Sequence, residues 1–414
     1  MISIKSIRLD YLEVSLVLFF FTMLTSCNPE VSHSSKDFGE KMNHEYDVAA
    51  YIWPSCHHDE RLGDTIWPEG TGEWEVIKKA TPVFEGHYQP KVPLWGYEPD
   101  DDPKVMERWI DAALDHGVNV FIFDWYWLDD GPFLENSLNN GFLKAENNEK
   151  MKFFVMWANH NMPAKLLNVY KEDLGSLQWD GAVDMENFKI IVARVINQYF
   201  KRPNYYQIDG KPVFSLFLIN EFIRGMGGLD EAAAAMDYFR DETKKAGFPG
   251  LHLQQIVFGS PGQEILKSIE ALGVNSVTKY NWWASSIPED YIRWGVENME
   301  RRKEWDEALS IPFFPNVSVG WDNSPRFLNS RKEHIVHLNK SPVAFSSFLQ
   351  KAKEYCNEHP EQPKLITLFA WNEWIEGSYL LPDIKYGFSY LEAVKNVMSN
   401  EYNNYGENVE SVDN

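Results

Sequence analysis

Short apolar runs recur along the chain from residue 47 onward. They fall at 47–52 (DVAAYI), 118–123 (VNVFIF), 152–157 (KFFVMW), 212–218 (PVFSLFL), 251–258 (LHLQQIVF), 276–280 (SVTKY), 313–319 (FFPNVSV) and 365–370 (LITLFA). Each has the length of a strand, and most are apolar throughout rather than alternating. That pattern predicts strands buried on both faces, as in a parallel sheet. The spacers at 103–116, 185–200, 229–245, 289–309 and 342–356 carry helical spacing instead. In the first of these, Val105, Met106, Trp109, Ile110 and Ala113 share one side, Pro103 opens the segment, and Asp115-His116-Gly117 stops it. Strands alternating with helices predict an α/β fold, a (β/α)8 TIM barrel with enlarged loops at its C-terminal face. A doubly wound open sheet is the rival, but no glycine-rich phosphate loop follows the first run. The long insert at 53–102, rich in Pro, Gly and Trp, is expected to fold over one end of the barrel.

The first residues read differently. Lys5 and Arg8 precede the apolar run 14–24, which is short for a membrane span and predicts a signal peptide. The stretch "LTSC" resembles a bacterial lipobox, which implies lipidation of Cys27 and cleavage before it. The expected organisation is a lipoprotein signal peptide at 1–27, a flexible tether at 28–45, a catalytic domain at 46–400 and a polar tail at 401–414. The expected location is the bacterial outer membrane, held through the lipid on Cys27, facing the periplasm or the outside.

Composition narrows the partners. The 414 residues suit one barrel of about 250 residues with large loops. A formal net charge of -22 repels nucleic acid, so none is expected as a partner. With 16 Trp, 19 Tyr and 26 Phe, the chain is rich in rings that fill cores or stack on the apolar faces of sugars. Beyond Cys27 only Cys56 and Cys356 occur, which leaves one disulfide open but builds no framework. The motif "CHHD" at 56–59 lacks the spacing of a structural zinc site, so no metal and no cofactor are expected.

In a barrel of this class, chemistry gathers where the strands end. Those ends read "DWYW" (124–127), "ANHN" (158–161), "INE" (219–221), "YNWW" (280–283), "GWDN" (320–323) and "WNEWIEG" (371–377). Acid, amide and indole groups at so many ends predict a polar-aromatic cleft for an oligosaccharide or polysaccharide. The candidate substrate-binding residues are Tyr51, Asp124, Trp125, Tyr126, Asn159, His160, Tyr280, Trp282, Trp321, Trp371 and Asn372. Glu373 and Glu376 are the catalytic candidates. Glycoside hydrolysis uses two carboxyl groups, and two that converge in a desolvated cleft push their proton affinities apart. A purely structural reading has Glu376 capping the next segment and Glu373 pairing with a cation. Glu221, in "INE", is a rival acid that would pair with a carboxylate farther round the barrel.

Three segments carry a resemblance. "WNEWIEGSYLLPDIKYGFSYLEAV" (371–394), "TGEWEVIKKATPVFEGHYQPKVPLWGY" (71–97) and "GVNVFIFDWYW" (117–127) resemble WbsX-type proteins related to glycoside hydrolase family 99. That family comprises retaining endo-acting α-mannosidases and α-mannanases on a (β/α)8 barrel. The resemblance implies that Glu373 deprotonates the substrate's own 2-hydroxyl, giving a 1,2-anhydro sugar, and that Glu376 is the acid and then the base. It also implies α-linked glycans with mannose or a 6-deoxy relative at the reacting position. The chain departs from the pattern at Ile375, where family 99 often has His, and at "SYLLPD", which replaces a "QIEP"-like continuation. A glycosyltransferase and a non-catalytic glycan-binding lipoprotein are the alternative readings.

Overall fold

The computed structural model describes residues 45–128, 131–283, 289–327 and 335–399. Cys27, the signal segment, nearly all of the tether and the tail at 401–414 lie outside them. The described residues belong to one compact unit, His44–Asn414. Eight barrel strands follow the chain: β1 Asp47–Ile52, β2 Val120–Leu128, β3 Lys152–Trp157, β4 Lys211–Leu216, β5 His252–Ile256, β6 Ser276–Thr278, β7 in two pieces, Phe313–Phe314 and Asn316–Ser318, and β8 Leu365–Phe369. Each pairs in parallel with the next, and β1 pairs with β8, so the ring closes. This is the (β/α)8 barrel the sequence predicts.

The seventh strand is broken rather than continuous. Pro315 has no N–H to give the ladder and separates the two pieces. The first piece pairs with β6 and the second with β8. The Asn316 side chain spans the break, donating to the Tyr280 carbonyl and to Thr367 Oγ1, both at 3.0 Å. Thr278 Oγ1 donates to the Phe314 carbonyl at 2.8 Å. The Asn316 amide nitrogen and the Thr278 hydroxyl thus find partners across the break, while Asn316 Oδ1 is buried without one.

Helices cover the outside. Pro103–Asp115 is capped by Asp102, Met185–Val195 by Asp184, Tyr291–Ala308 by Asp290 and Pro342–Glu358 by Ser341, each through a side-chain oxygen accepting a first-turn amide. Leu229–Lys245 forms as expected, and Met185–Val195 runs on into a wider turn over Ile196–Phe200. Between β2 and β3 the described residues hold the short strand Gly131–Phe133 and three short helical turns, Ser137–Gly141, Phe142–Lys144 and Asn148–Lys150.

β2 is longer than the apolar run suggests. It continues to Leu128 because Tyr126, Trp127 and Leu128 pair antiparallel with Gly131–Phe133. "DWYW" therefore lies within a strand, where successive side chains face opposite ways. The insert at 53–102 covers the end of the barrel where the strands finish, with one-turn helices Gly63–Ile66 and Trp74–Ile77. Asp59 ties it down by accepting from the amides of Leu62 (2.8 Å) and Leu134 (2.9 Å). His57 pairs with Asp100 at 2.6 Å. Cys56 and Cys356 are both free and buried. Among the described residues, no helix is long and apolar enough to cross a membrane.

Candidate active site

Beyond β8 the chain does not enter a helix. It folds into a tight hairpin in which Asn372–Glu373 pairs with Ser378–Tyr379. The Gly377 amide donates to the Trp374 carbonyl at 3.1 Å and closes the turn. Gly377 has φ 64°, and a Cβ there would lie 2.6 Å from the Cβ of Asp322, so both conformation and space require glycine. Trp374 stacks on Tyr379 with ring centroids 3.8 Å apart. Glu373 leaves from the hairpin's first arm and Glu376 from its turn. That is how residues three apart reach one cavity.

The cavity measures about 490 Å³ and lies at the C-terminal end of the strands. Both glutamates line it, with Asp124, Tyr126, His160, Tyr280 and Trp321. These are seven of the residues read from the strand ends. The rest of the wall is largely apolar and includes Met156, Met162, Leu167, Phe217 and Phe258.

At its centre is Arg326, in the turn Ser324–Arg326 after β7. Its Nη2 lies 3.4 Å from Glu373 Oε1, and its Nε lies 3.3 Å from Glu376 Oε1. Its Nη1 donates to the Leu166 carbonyl at 2.8 Å and lies 4.0 Å from Glu73 Oε1. Burial works against the charge on Arg326, but Glu376, Glu73 and Glu373 outweigh it and hold the guanidinium protonated. Burial, then the charges of Glu376 and Glu73, push Glu373 well above the ordinary carboxyl range. Burial also raises Glu376, against the pull of Arg326. Two carboxyl groups of raised proton affinity flanking one cation can divide the roles of acid and base near neutral pH.

Around this centre, the Tyr280 hydroxyl donates to Asp124 Oδ2 at 2.6 Å, while Asp124 Oδ1 has no hydrogen-bond partner. Burial drives the Asp124 carboxyl well above its usual range, although the Tyr280 bond opposes the rise. His160 Nδ1 lies 2.9 Å from the Asn161 carbonyl, which can only accept. Burial lowers the affinity of His160 for a second proton. The ring is then neutral, with Nδ1 protonated and Nε2 free to accept.

Six of the residues proposed to bind substrate stand elsewhere. Trp125 and Trp127 alternate with Asp124 and Tyr126 on β2, so Trp125 faces away from the cavity and its Nε1 donates to Glu135 at 2.8 Å. Trp371 packs on Trp109 and Phe121. Trp282 donates to the Asn316 carbonyl at 2.9 Å and packs against Tyr291 and Trp294. Tyr51 lies beneath Tyr280, edge to face at 4.8 Å. Asn159 exchanges two hydrogen bonds with the Leu218 backbone, and Asn372 does the same with Trp53. These six hold the wall rather than form it. Glu221 is also outside, paired with Arg224 on the helix Ile219–Met226.

Asn161, Trp283 and Asn323, from the quoted strand ends but not among the named binding candidates, also line the cavity, as do Trp53 and Arg326, which no strand-end motif contains. Trp53 is the first residue beyond β1, so strand-end logic reaches it. Arg326 carries no such signal.

Comparison with known proteins follows the same lines. The uncharacterized protein WxcX of Xanthomonas campestris pv. campestris (strain ATCC 33913) is 25% identical over 371 residues, covering 85% of this chain and 49% of WxcX. Its counterpart in strain B100 matches equally. The chain thus spans about half the length of these curated relatives. The glycoside hydrolase family 99 endo-α-mannosidase from Bacteroides thetaiotaomicron shares the fold with a TM-score of 0.57 at 11% identity, over 88% of this chain and 99% of that one. A glycoside hydrolase-like protein superposes with a TM-score of 0.53 at 16% identity, over 87% and 95%. The family described as glycosyltransferase WbsX matches residues 48–394, a span that holds the barrel and both glutamates of the hairpin, and the chain belongs to that family.

Proposed function

We propose that this chain is a retaining glycoside hydrolase acting on neutral α-linked glycans with mannose or a 6-deoxy relative at the reacting position. The observation that carries the reading is the hairpin, which delivers Glu373 and Glu376 to one guanidinium inside an aromatic-walled cavity. Three carboxyl groups, those of Glu73, Glu373 and Glu376, share a single arginine, and Asp124 acts on Glu373 beside them, so an acidic sugar would find no cation of its own. A nucleotide diphosphate would meet the same field and find no unpaired cation among the described lining residues, which disfavours the transferase reading. The apolar wall of Met156, Met162, Phe217 and Phe258 suits a methyl group better than a hydroxyl.

In the mechanism, Glu373 takes the proton of the substrate's 2-hydroxyl, whose oxygen attacks C1 as the glycosidic bond breaks. Glu376 gives its proton to the leaving oxygen. Glu376 then takes and keeps a proton from water, whose oxygen opens the 1,2-anhydro sugar at C1, while Glu373 gives the proton it took in the first step back to the 2-oxygen, so both carboxyl groups return to their starting states. The product keeps the α configuration. A second order of roles is favoured by the charges: Arg326 stabilises ionised Glu376, while the surrounding acids favour a proton on Glu373. In that order Glu373 is the acid.

Purified protein incubated with a panel of α-mannans and α-linked 6-deoxy glycans should release sugar with retained configuration, read by NMR at early times. A 2-deoxy substrate should not turn over. Inverted product, or normal turnover of the 2-deoxy sugar, would remove this mechanism. We further propose that the protein is exported and lipid-anchored at Cys27. Mass spectrometry of the membrane-extracted protein should find a lipidated Cys27 as the first residue, and an unmodified Cys27 would discard the anchor.

A further inference from the structure

Glu73 reaches the site from the opposite side, on the insert at 53–102. Its placement is specific. Gly72 before it has φ 61°, and a Cβ there would sit 2.1 Å from the Ser55 carbonyl oxygen. The Glu73 side chain is fully buried. Its Oε2 accepts from Trp53 Nε1 at 2.7 Å and from Ser55 Oγ at 3.0 Å. Its Oε1 has no hydrogen-bond partner and faces Arg326 Nη1 at 4.0 Å. Glu73 does not line the cavity; Trp53 and Arg326 stand between. One oxygen thus ties Glu73 into the insert, while the other is turned to the cation it shares with Glu373 and Glu376.

We infer that Glu73 is a positioning residue that competes with Glu373 and Glu376 for Arg326 and so sets the proton affinity of the catalytic pair. The inference rests on the glycosidase reading for the reaction it would affect, not for the charge coupling. With three carboxyl groups on one guanidinium, full ionisation leaves uncompensated negative charge in a dry site, so protons are retained. Burial, moderated by Arg326, pushes Glu73 up to about 7, and the charge of Glu376 adds to the rise. The charge of Glu73 in turn raises Glu373. The other ionisable groups facing the cluster are Asp124, Tyr126, Tyr280, His160 and Cys56.

The test uses two variants of the full chain with opposite expectations. Glu73→Gln keeps an amide oxygen for Trp53 and Ser55 but removes the competing charge. The pair Glu373 and Glu376 should then hold protons less tightly, by about one pH unit. Arg326→Gln removes the cation and should shift the pair upward by a similar amount. Difference infrared spectroscopy reads the protonated carboxyl band as a function of pH, with bands assigned through Glu373→Gln and Glu376→Gln, and needs no substrate. Where a glycoside is turned over, the alkaline limb of kcat/KM should move in the same two directions. Should Arg326→Gln not fold, Arg326→Lys, which keeps the charge but loses the fork, should give a smaller upward shift. Shifts of the same sign in both variants, or no shift, would overturn the inference. Opposite shifts with full turnover in Glu373→Gln would uphold the coupling and sink the glycosidase assignment instead.

Discussion

The main-chain amide of Asp322 donates to the carbonyl oxygen of Glu376 at 2.6 Å. That bond joins the loop after β7 to the hairpin after β8, and so joins the element carrying Arg326 to the one carrying the glutamates. The Asp322 side chain extends the link to the insert: Oδ2 accepts from His87 (3.0 Å), Gln89 (2.9 Å) and Lys91, and Oδ1 from Ser324 Oγ at 2.6 Å. One buried residue, through its main-chain amide and its carboxylate, therefore links three loops that meet at the cavity.

Asp322→Asn should unfold more easily. It leaves Lys91 buried without a counter-charge, which costs about 3–5 kcal/mol in comparable cases. It should also lower turnover in the molecules that stay folded, because the Arg326 turn begins at Ser324. The lysine and histidine hold the Asp322 carboxyl well below its ordinary range, against the cost of burial. Its stabilising contribution is thus fully present above the unfolded value of 3.8 and is lost only as pH falls well below it. Denaturant titrations at neutral pH check the first point, and a wild-type midpoint retained by the variant would contradict it.

The order of roles within the pair can be read from leaving groups. Glu373→Gln and Glu376→Gln should each lower turnover of a natural glycan by about 10²–10⁴. An aryl glycoside needs little protonation of its leaving oxygen. If Glu376 is the acid, Glu376→Gln recovers most activity on the aryl substrate and Glu373→Gln recovers little. The reverse result assigns the acid to Glu373. Glu221→Gln should stay within a few-fold of wild type on both substrates, since Glu221 is tied to Arg224 outside the cavity.

The barrel was legible because its strands are apolar throughout and its helices carry caps and one-sided apolar faces, both local properties. The glutamate pair was legible for the same reason: the strand before it announces its own end. What sequence could not assign was direction. Asp124 and Trp125 are neighbours in a run of ring and acid residues, and only the register of β2 with Gly131–Phe133 shows that one faces the cavity and the other Glu135. Trp371 and Trp282 sit at strand ends yet fill the space between barrel and helices. Arg326 was invisible because its role depends on three acids 47, 50 and 253 positions away along the chain, which only the closed barrel and the folded insert bring together.

That distinction is testable at adjacent positions. Trp125→Phe should destabilise by about 1–3 kcal/mol, because Glu135 loses a buried donor, while KM stays near the wild-type value. Tyr126→Ala should raise KM strongly, since Tyr126 lines the cavity beside Trp53 at 5.5 Å and His160 at 5.7 Å. Melting temperatures and Michaelis constants for the two variants decide it. A large KM effect from Trp125→Phe would return that residue to the binding site.

The buried acid of the insert also leaves a mark on stability. Glu73 has its proton affinity raised from the ordinary value of 4.5 to about 7, chiefly by burial. For a group shifted in that sense, the stabilising contribution is fully present below 4.5 and is lost as pH rises through 7. The span is worth up to about 3 kcal/mol. Replacing Glu73 by Gln removes the group that must ionise, while Arg326 keeps Glu373 and Glu376 as partners. The variant should therefore match wild type near pH 4 and become the more stable protein by pH 8. Thermal unfolding of both across that range gives the comparison. Parallel curves would show that Glu73 ionises without cost in the folded chain, and the raised affinity ascribed to its burial would have to be abandoned.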